Sequence, residues 1–335
     1  MPLLTVGLPV RNAMPYLRQT IESLLNQTSR EFKILAVVGD CHDGSNKYLA
    51  SVKDERLRVI VDKSTGLIPT LNRMLREIDT PWLMRQDADD VSYPRRVERT
   101  LEYIAKFPDA GMFYSIAEYY PPERSLGVFR ASRGTPAELK AIVKSGYLLS
   151  FCHSAVTLNV QKTLEVGGYT ESLAHAEDAD LWWRIALAYD IEIIPEVLVG
   201  YRQHEGQATT QAVRQNFIDL LYVQYLLLSR LRDRTPLTKE EVRPHLERFV
   251  TARQVTAKLK LRQVNIRAAN HDLLGAVASG IGALSTSPKL VWDRICDEVL
   301  RKRQILNGIN PEIFEKDKSR FWNLPDKPAH VIKAV

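Results

Sequence analysis

Trp82-Leu83-Met84-Arg85-Gln86-Asp87-Ala88-Asp89-Asp90 is the stretch on which the reading of this chain turns. Trp82–Arg85 has the length and apolar character of a short buried strand, and three carboxylates follow it within four residues. Carboxylates this close repel one another, and a cation normally relieves them. Hard divalent ions such as Mg²⁺ and Mn²⁺ take carboxylate oxygens and often share a substrate's phosphates. A solvated acidic turn capping the helix that opens at Pro94 would be spelled the same way, so the surroundings must decide.

On both sides of this stretch, strand-like and helix-like segments alternate. Leu3–Leu8 is an apolar run closed by Pro9, and Pro15 opens a helix carrying Leu17, Ile21, Leu24 and Leu25 at a helical period. Phe32–Val38 reads as a fully buried strand and Leu57–Val61 as another. Pro69–Ile78 and Pro94–Phe107 read as helices, with a strand at Met112–Ile116. This alternation predicts an α/β fold with a mostly parallel sheet between helices. Ligands of such sheets sit at the carboxyl ends of the strands, where the polar clusters Gly39–Ser45 and Asp87–Asp90 fall. The pattern loosens after Gly134, although Ala179–Tyr189 keeps an amphipathic helical period. From about Gln211 strand patterns stop. Phe217–Leu231 is an apolar helix, Ser287-Pro288 marks a helix start and Asn307-Gly308 a stop. The expectation is one domain over residues 1–210 and a C-terminal helical extension over 211–335.

The 335 residues are 45% hydrophobic and 26% charged, as in ordinary globular proteins. A net charge of +6 suits several anionic partners and selects none. No arginine-rich run with interleaved aromatics points to nucleic acid. Cys41, Cys152 and Cys296 lie far apart, which argues against a zinc site or a disulfide framework and suits a reducing compartment. The N-terminus has no secretory pattern. Leu273–Leu284, broken by Gly275, Gly280 and Gly282, is too short to cross a bilayer, which takes about 20 residues. The expected location is cytoplasmic.

Two further clusters carry chemistry. His175-Ala176-Glu177-Asp178-Ala179-Asp180 opens the Ala179–Tyr189 helix. Acids in a first helical turn are favoured by the helix dipole, but capping needs one and this turn has three. A carboxylate poised beside a cleft can serve as general base toward a hydroxyl. Tyr201-Arg202-Gln203-His204 follows the run Ile191–Gly200, and its histidine is open to a structural or a ligand role.

Taken in order, these pieces resemble the glycosyltransferase family 2 domain over roughly residues 3–210. Leu8-Pro9-Val10-Arg11-Asn12 is similar to the family's opening strand end, and Ser23-Leu24-Leu25-Asn26-Gln27-Thr28 to its "SLLxQT" helix end. Val37-Val38-Gly39-Asp40 stands where the family has a doublet of acids. Asp87-Ala88-Asp89-Asp90, with Pro94-Arg95-Arg96 behind it, is similar to the metal motif. Gly167-Gly168-Tyr169, Glu177-Asp178 and Leu181-Trp182-Trp183-Arg184 resemble the "GGY…ED..LW.R" block, and Tyr201–His204 the closing "YRxH".

The resemblance implies a GT-A fold and an inverting transfer from a nucleotide sugar, a UDP-sugar first among donors, to a saccharide or lipid-linked acceptor. It further implies a place in bacterial cell-surface polysaccharide or glycoconjugate synthesis. Pro9, Asn12, Asp40 and Asp87 would then bind the nucleotide, with Asp40 accepting a hydrogen bond from the base. Asp87, Asp89 and His204 would hold Mn²⁺ or Mg²⁺, and Asp178, beside Glu177, would be the catalytic base. Glycine at position 39 and the turn Cys41-His42-Asp43 depart from the family pattern and bear on base selectivity.

Two rival readings remain open at this level. Asp87-Ala88-Asp89-Asp90-Val91 also fits the nucleophile motif of haloacid-dehalogenase-type phosphatases, but three strand-like segments precede it and no later GDxxxD follows. A non-catalytic nucleotide-sugar-binding module is the other. In the extension, Arg253, Lys258, Lys260, Arg262 and Arg267 form a basic stretch that either meets anionic lipid on the inner face of the cytoplasmic membrane or packs on the first domain.

Overall fold

A computed structural model of the chain describes residues 2–62, 66–124, 127–173, 175–298, 304–316 and 318–322. The first half follows its alternating pattern as β1 (Leu4–Val10), α1 (Leu17–Leu25), β2 (Phe32–Val38), α2 (Ser45–Ser51), β3 (Leu57–Val61), α3 (Leu67–Glu77) and β4 (Trp82–Arg85). Then come β5 (Val91–Ser92), α4 (Arg96–Lys106), β6 (Met112–Tyr120), α5 (Pro136–Lys144), β7 (Val156–Asn159), α6 (Val160–Glu165), α7 (Glu177–Ala188) and β8 (Ile191–Arg202). The rest is helical: α8 (Ala208–Gln211), α9 (Val213–Leu231), α10 (Lys239–Glu247), α11 (Ala252–Ala269), α12 (Leu273–Thr286), α13 (Pro288–Glu298), α14 (Glu312–Lys316) and α15 (Lys318–Phe321).

The strands form one sheet in the order β3-β2-β1-β4-β7-β6-β8-β5. β3, β2, β1 and β4 run parallel, β7 lies antiparallel to both β4 and β6, and β6 and β8 are parallel. The sheet is therefore mixed, with its parallel character concentrated in the first half. Phe32–Val38 is buried along almost its whole length, as its unbroken apolar run requires. Leu57–Val61 is not: it is the terminal strand, and Val59 and Val61 face solvent. The carboxyl ends of β1, β2 and β4 share one edge of the sheet, and β8 arrives beside it by pairing antiparallel with β5, Val91 opposite Gly200.

One hydrophobic cluster joins the sheet to the extension. Trp182 and Ile185 of α7, Leu83 of β4 and Val156 of β7 pack in the same buried set as Ile218, Val223 and Leu227 of α9. The boundary expected near residue 210 thus marks a change of sequence pattern inside a shared core. α13 begins at Pro288 as its start signal predicts. Asn307, expected at a helix stop, instead exchanges backbone hydrogen bonds with Leu148 at 2.9 and 3.2 Å. Residues 323–335 of the expected extension lie outside the described residues.

Trp182 is fully buried in this shared core, edge-on to Phe151 and His153. Trp182→Ala should lower the unfolding free energy by about 3–5 kcal/mol, through lost burial and the cavity left behind. Urea titration followed by circular dichroism checks this.

Candidate active site

The acidic loop after β4 rests on two buried guanidinium groups. Arg96, at the start of α4, is 1% exposed and donates to Gln86 Oε1 at 2.7 Å, Ser92 Oγ at 2.8 Å, the Arg85 carbonyl at 2.8 Å and the Ser154 carbonyl. Arg85, with no exposed surface, donates to the Gln86 carbonyl and at 2.6 Å to Asp87 Oδ1. Ser154 completes the hold on Asp87, giving its hydroxyl to Oδ2 at 2.8 Å while accepting the Asp87 N–H at 3.0 Å. Burial alone would raise the Asp87 pKa, but the Arg85 guanidinium beside it holds the carboxyl below its ordinary range.

The three acids of the loop have different surroundings. Asp90 is fully buried, accepts the Arg202 N–H at 2.8 Å on Oδ1 and leaves Oδ2 without a partner. Burial and the nearby Asp89 and Asp87 charges push its pKa well above the carboxylate range. Asp90 is thus a structural group that ties the loop to β8. Asp89 faces the opening, its Oδ2 3.0 Å from His204 Nε2 and 3.3 Å from Gln207 Nε2. Arg202 fastens the same loop from outside: its Nε donates to the Asp89 carbonyl at 2.8 Å, and its guanidinium lies between the rings of Tyr16 and Tyr120. The YRxH segment therefore braces the acidic loop, and it brings His204 and Asp89 together.

Opposite this loop stands the N-terminus of α7. Gly167 and Gly168 both take positive φ, 95° and 63°, which side chains disfavour. Asn72 of α3 clamps the turn they make, bonding both the N–H and the carbonyl of Tyr169 at 2.9 and 2.8 Å. Tyr169 then sets its hydroxyl 2.9 Å from His153 Nε2. Burial and the Arg85 charge push the His153 pKa down to about 3, so the ring is neutral. The acids that follow divide again. Asp180 is buried and satisfied by Thr170, Trp183 and Arg184, which makes it structural. Asp178 is half-buried, and burial, with the Asp87 charge adding, pushes its pKa up to about 6. Glu177 is buried near His153, and burial together with the Asp178 charge pushes it up to about 8. Asp87 and Asp178 feel each other's charge, so the acidic loop and the start of α7 lie close together.

The nucleotide-side residues sit at the ends of β1 and β2. Pro9 lies within β1 opposite Val37. Asn12, at φ 48°, spends its side-chain oxygen on the His42 N–H at 2.9 Å, and Asp43 receives the Met14 and Ser45 N–H groups at 2.7 and 3.0 Å. The two loops are thereby laced together. Asp40 stands exposed on the rim, 3.5 Å from the exposed His42 Nε2. Four residues that shape the cleft carry no signal as separate letters: Asn72, Arg85, His153 and Ser154. Only the polar pair His153-Ser154, closing the apolar run Leu148–Cys152, stands out after the fact.

Residues 5–158 match the family model described as glycosyl transferase family 2. The chain is 24% identical over 218 residues to an uncharacterized glycosyltransferase of Rickettsia typhi, covering 64% of this chain and 68% of that one. It is 27% identical over 209 residues to one of Methanocaldococcus jannaschii, covering 60% and 71%. Among solved structures, S. aureus TarS 1–349 in complex with UDP-GlcNAc shares the fold at TM-score 0.52 and 14% identity, over 86% of this chain and 92% of that one. Against a longer TarS chain the match spans 55% of its length.

Arg96→Met should cost about 3–5 kcal/mol of stability, because it strips the donor from several buried acceptors at once. Asp89→Ala, at the open mouth of the cleft, should cost less than about 1 kcal/mol. Thermal melts of the two variants against the parent check the contrast.

Proposed function

We propose that this chain is a family 2 glycosyltransferase that transfers a sugar with inversion from a UDP-sugar to a hydroxyl of a saccharide or lipid-linked acceptor. The observation that carries the reading is that the Asp87–Asp89 loop, held by Arg85 and Ser154, and Asp178 at the start of α7 lie close enough to feel each other's charge. A fold neighbour, TarS, is seen with UDP-GlcNAc, which favours a uridine donor. Pro9 and Asn12 shape the floor of the nucleotide pocket, and Asp40 offers an exposed carboxylate to the base.

The residues present suit a divalent cation shared with the donor. Asp89 keeps Oδ1 outside the hydrogen bonds that hold its Oδ2, and His204 offers a ring nitrogen next to it. Among the described residues no three His, Cys, Asp or Glu side chains converge. Asp87, Asp89 and His204 would face an ion shared with the donor, and Mn²⁺ or Mg²⁺ would supply positive charge against the departing diphosphate. The chain's own chemistry lies on the opposite wall. Asp178 takes the proton of the acceptor hydroxyl as its oxygen bonds the anomeric carbon, and the bond from that carbon to the diphosphate breaks with its electron pair. Glu177, protonated at neutral pH, withholds a second negative charge from the attacking oxygen. An Asp87 nucleophile of the phosphatase kind is disfavoured, since both its oxygens are engaged by Arg85 and Ser154. The reading places the enzyme in cell-surface polysaccharide or glycoconjugate assembly on the cytoplasmic side.

Two outcomes are expected. Chelation by EDTA abolishes transfer and Mn²⁺ restores it, while Asp89→Ala loses metal-dependent binding of UDP in calorimetry. Asp178→Asn lowers turnover by about 10²–10⁴-fold with donor affinity unchanged. A carboxyl raised to about 6 is protonated below that pH and ionised above it. The parent's rate should therefore climb as pH passes upward through about 6, and the Asn variant should lack this limb. A β-linked product from an α-linked donor, read by NMR, supports inversion, and a retained linkage excludes it.

A further inference from the structure

The large apolar side chains that the fold leaves exposed are concentrated in one place. Half of those among the described residues lie between Leu273 and Ile295. On α12, Leu273, Leu274, Val277, Ile281 and Leu284 project outward, Leu274 at 87% exposure, and Trp292 of α13 joins them at 59%. The buried side of α12 is made of small residues, Ala276, Ser279 and Ala283. A Cβ added at Gly282 would come within 3.1 Å of Lys260 Nζ, so α11 and α12 lie close together. This arrangement inverts a soluble helix, which turns its large residues inward and its polar ones to water. A contiguous apolar patch of this kind marks a binding surface.

Charge identifies what binds there. Residues 252–298 hold seven Lys and Arg against four Asp and Glu, a surplus of three in a chain whose net charge is +6. Four of the five cations in the basic stretch expected to touch lipid directly have partners within the protein. Lys260 bonds the Gly282 carbonyl at 3.1 Å, Arg267 the Gly275 carbonyl at 3.1 Å, Arg262 the Tyr201 hydroxyl at 3.1 Å, and Lys258 lies over the Phe217 ring. Lys260 and Arg267 thus sit behind the apolar face, against the backbone of α12. One helix diameter, about 10 Å, is close to the screening length at physiological salt, so their field still reaches what lies in front.

We propose that the outer face of α12, with Trp292, docks on an anionic lipid bilayer, lying in the interface with the basic charges of α11 behind it. A symmetric dimer through the same face would press two segments of like charge together, whereas anionic headgroups neutralise them. No helix among the described residues is long and apolar enough to cross a membrane, which suits docking along the surface. The inference is independent of the donor and acceptor assigned above, because it is read by binding alone.

The test is co-sedimentation of the full chain with vesicles of mixed phosphatidylglycerol and phosphatidylcholine, and with phosphatidylcholine alone. The parent should bind the anionic vesicles, bind the neutral ones more weakly, and be released as salt rises. Leu274→Gln combined with Ile281→Gln removes two exposed side chains, so its circular dichroism and UDP affinity should match the parent. Its partition onto anionic vesicles should fall by at least ~100-fold. Four results would overturn the proposal: no binding of the parent at low salt, equal binding to neutral vesicles, undiminished binding of the double variant, or a parent dimer in ultracentrifugation that the double variant turns into a monomer.

Discussion

Two guanidinium groups buried under one loop are the constraint around which the rest of this structure is arranged. Arg85 and Arg96 lie within the core, where an unpaired charge is costly. Their donors are spent on the carbonyls of Arg85, Gln86 and Ser154 and on the side chains of Gln86, Ser92 and Asp87. Each partner belongs to a segment that must be in place: the end of β4 and the loop after it, β5, and the turn before β7. The acidic loop is therefore set from below by cations, which explains how several carboxylates can crowd a partly dry cleft. With β7 placed between β4 and β6, Ser154 in the turn before it reaches both Asp87 and Arg96.

The same buried charges sort the acids into roles. Six carboxylates in the two acidic clusters have similar sequence surroundings, yet Asp87 is held low by Arg85 while Asp178 and Glu177 are raised by burial to about 6 and about 8. Asp90 and Asp180 are withdrawn into hydrogen bonds that fasten loops. Separating neighbouring carboxyl groups in this way lets ionised and protonated carboxyl groups lie near one another at one pH.

Much of this was legible from the residues. Continuous apolar runs located β1, β2 and β4, and three acids after a strand located the loop. The YRxH segment was legible as a unit, although Arg202 has as large a part in it as His204. What was hidden follows from the physics of the signals. A four-residue run such as Val156–Asn159 says nothing of its direction, so the mixed character of the sheet was unreadable. Leu57–Val61 looks buried because apolar letters do not reveal which strand ends a sheet. Charged letters at 85 and 96 look like surface, and only packing turns them into core. In the extension the basic letters of α11 drew attention to themselves, while the apolar letters of α12 resembled ordinary core.

Sequence distance gives the bracing of the acidic loop a consequence for how the protein is made. Asp90 and Arg202 are 112 positions apart, Asn72 and Tyr169 are 97 apart, and Arg96 and Ser154 are 58 apart. When the loop leaves the ribosome none of these partners exists, and β4 is the open edge of a half-made sheet until β7 is synthesised. At about 5–20 residues per second the wait for Arg202 is on the order of ten seconds. Until β7 is made the nascent chain carries an uncovered strand edge and an Arg96 without its Ser154 acceptor, so the acidic loop matures among the last parts of the domain, long after the residues that compose it have been joined.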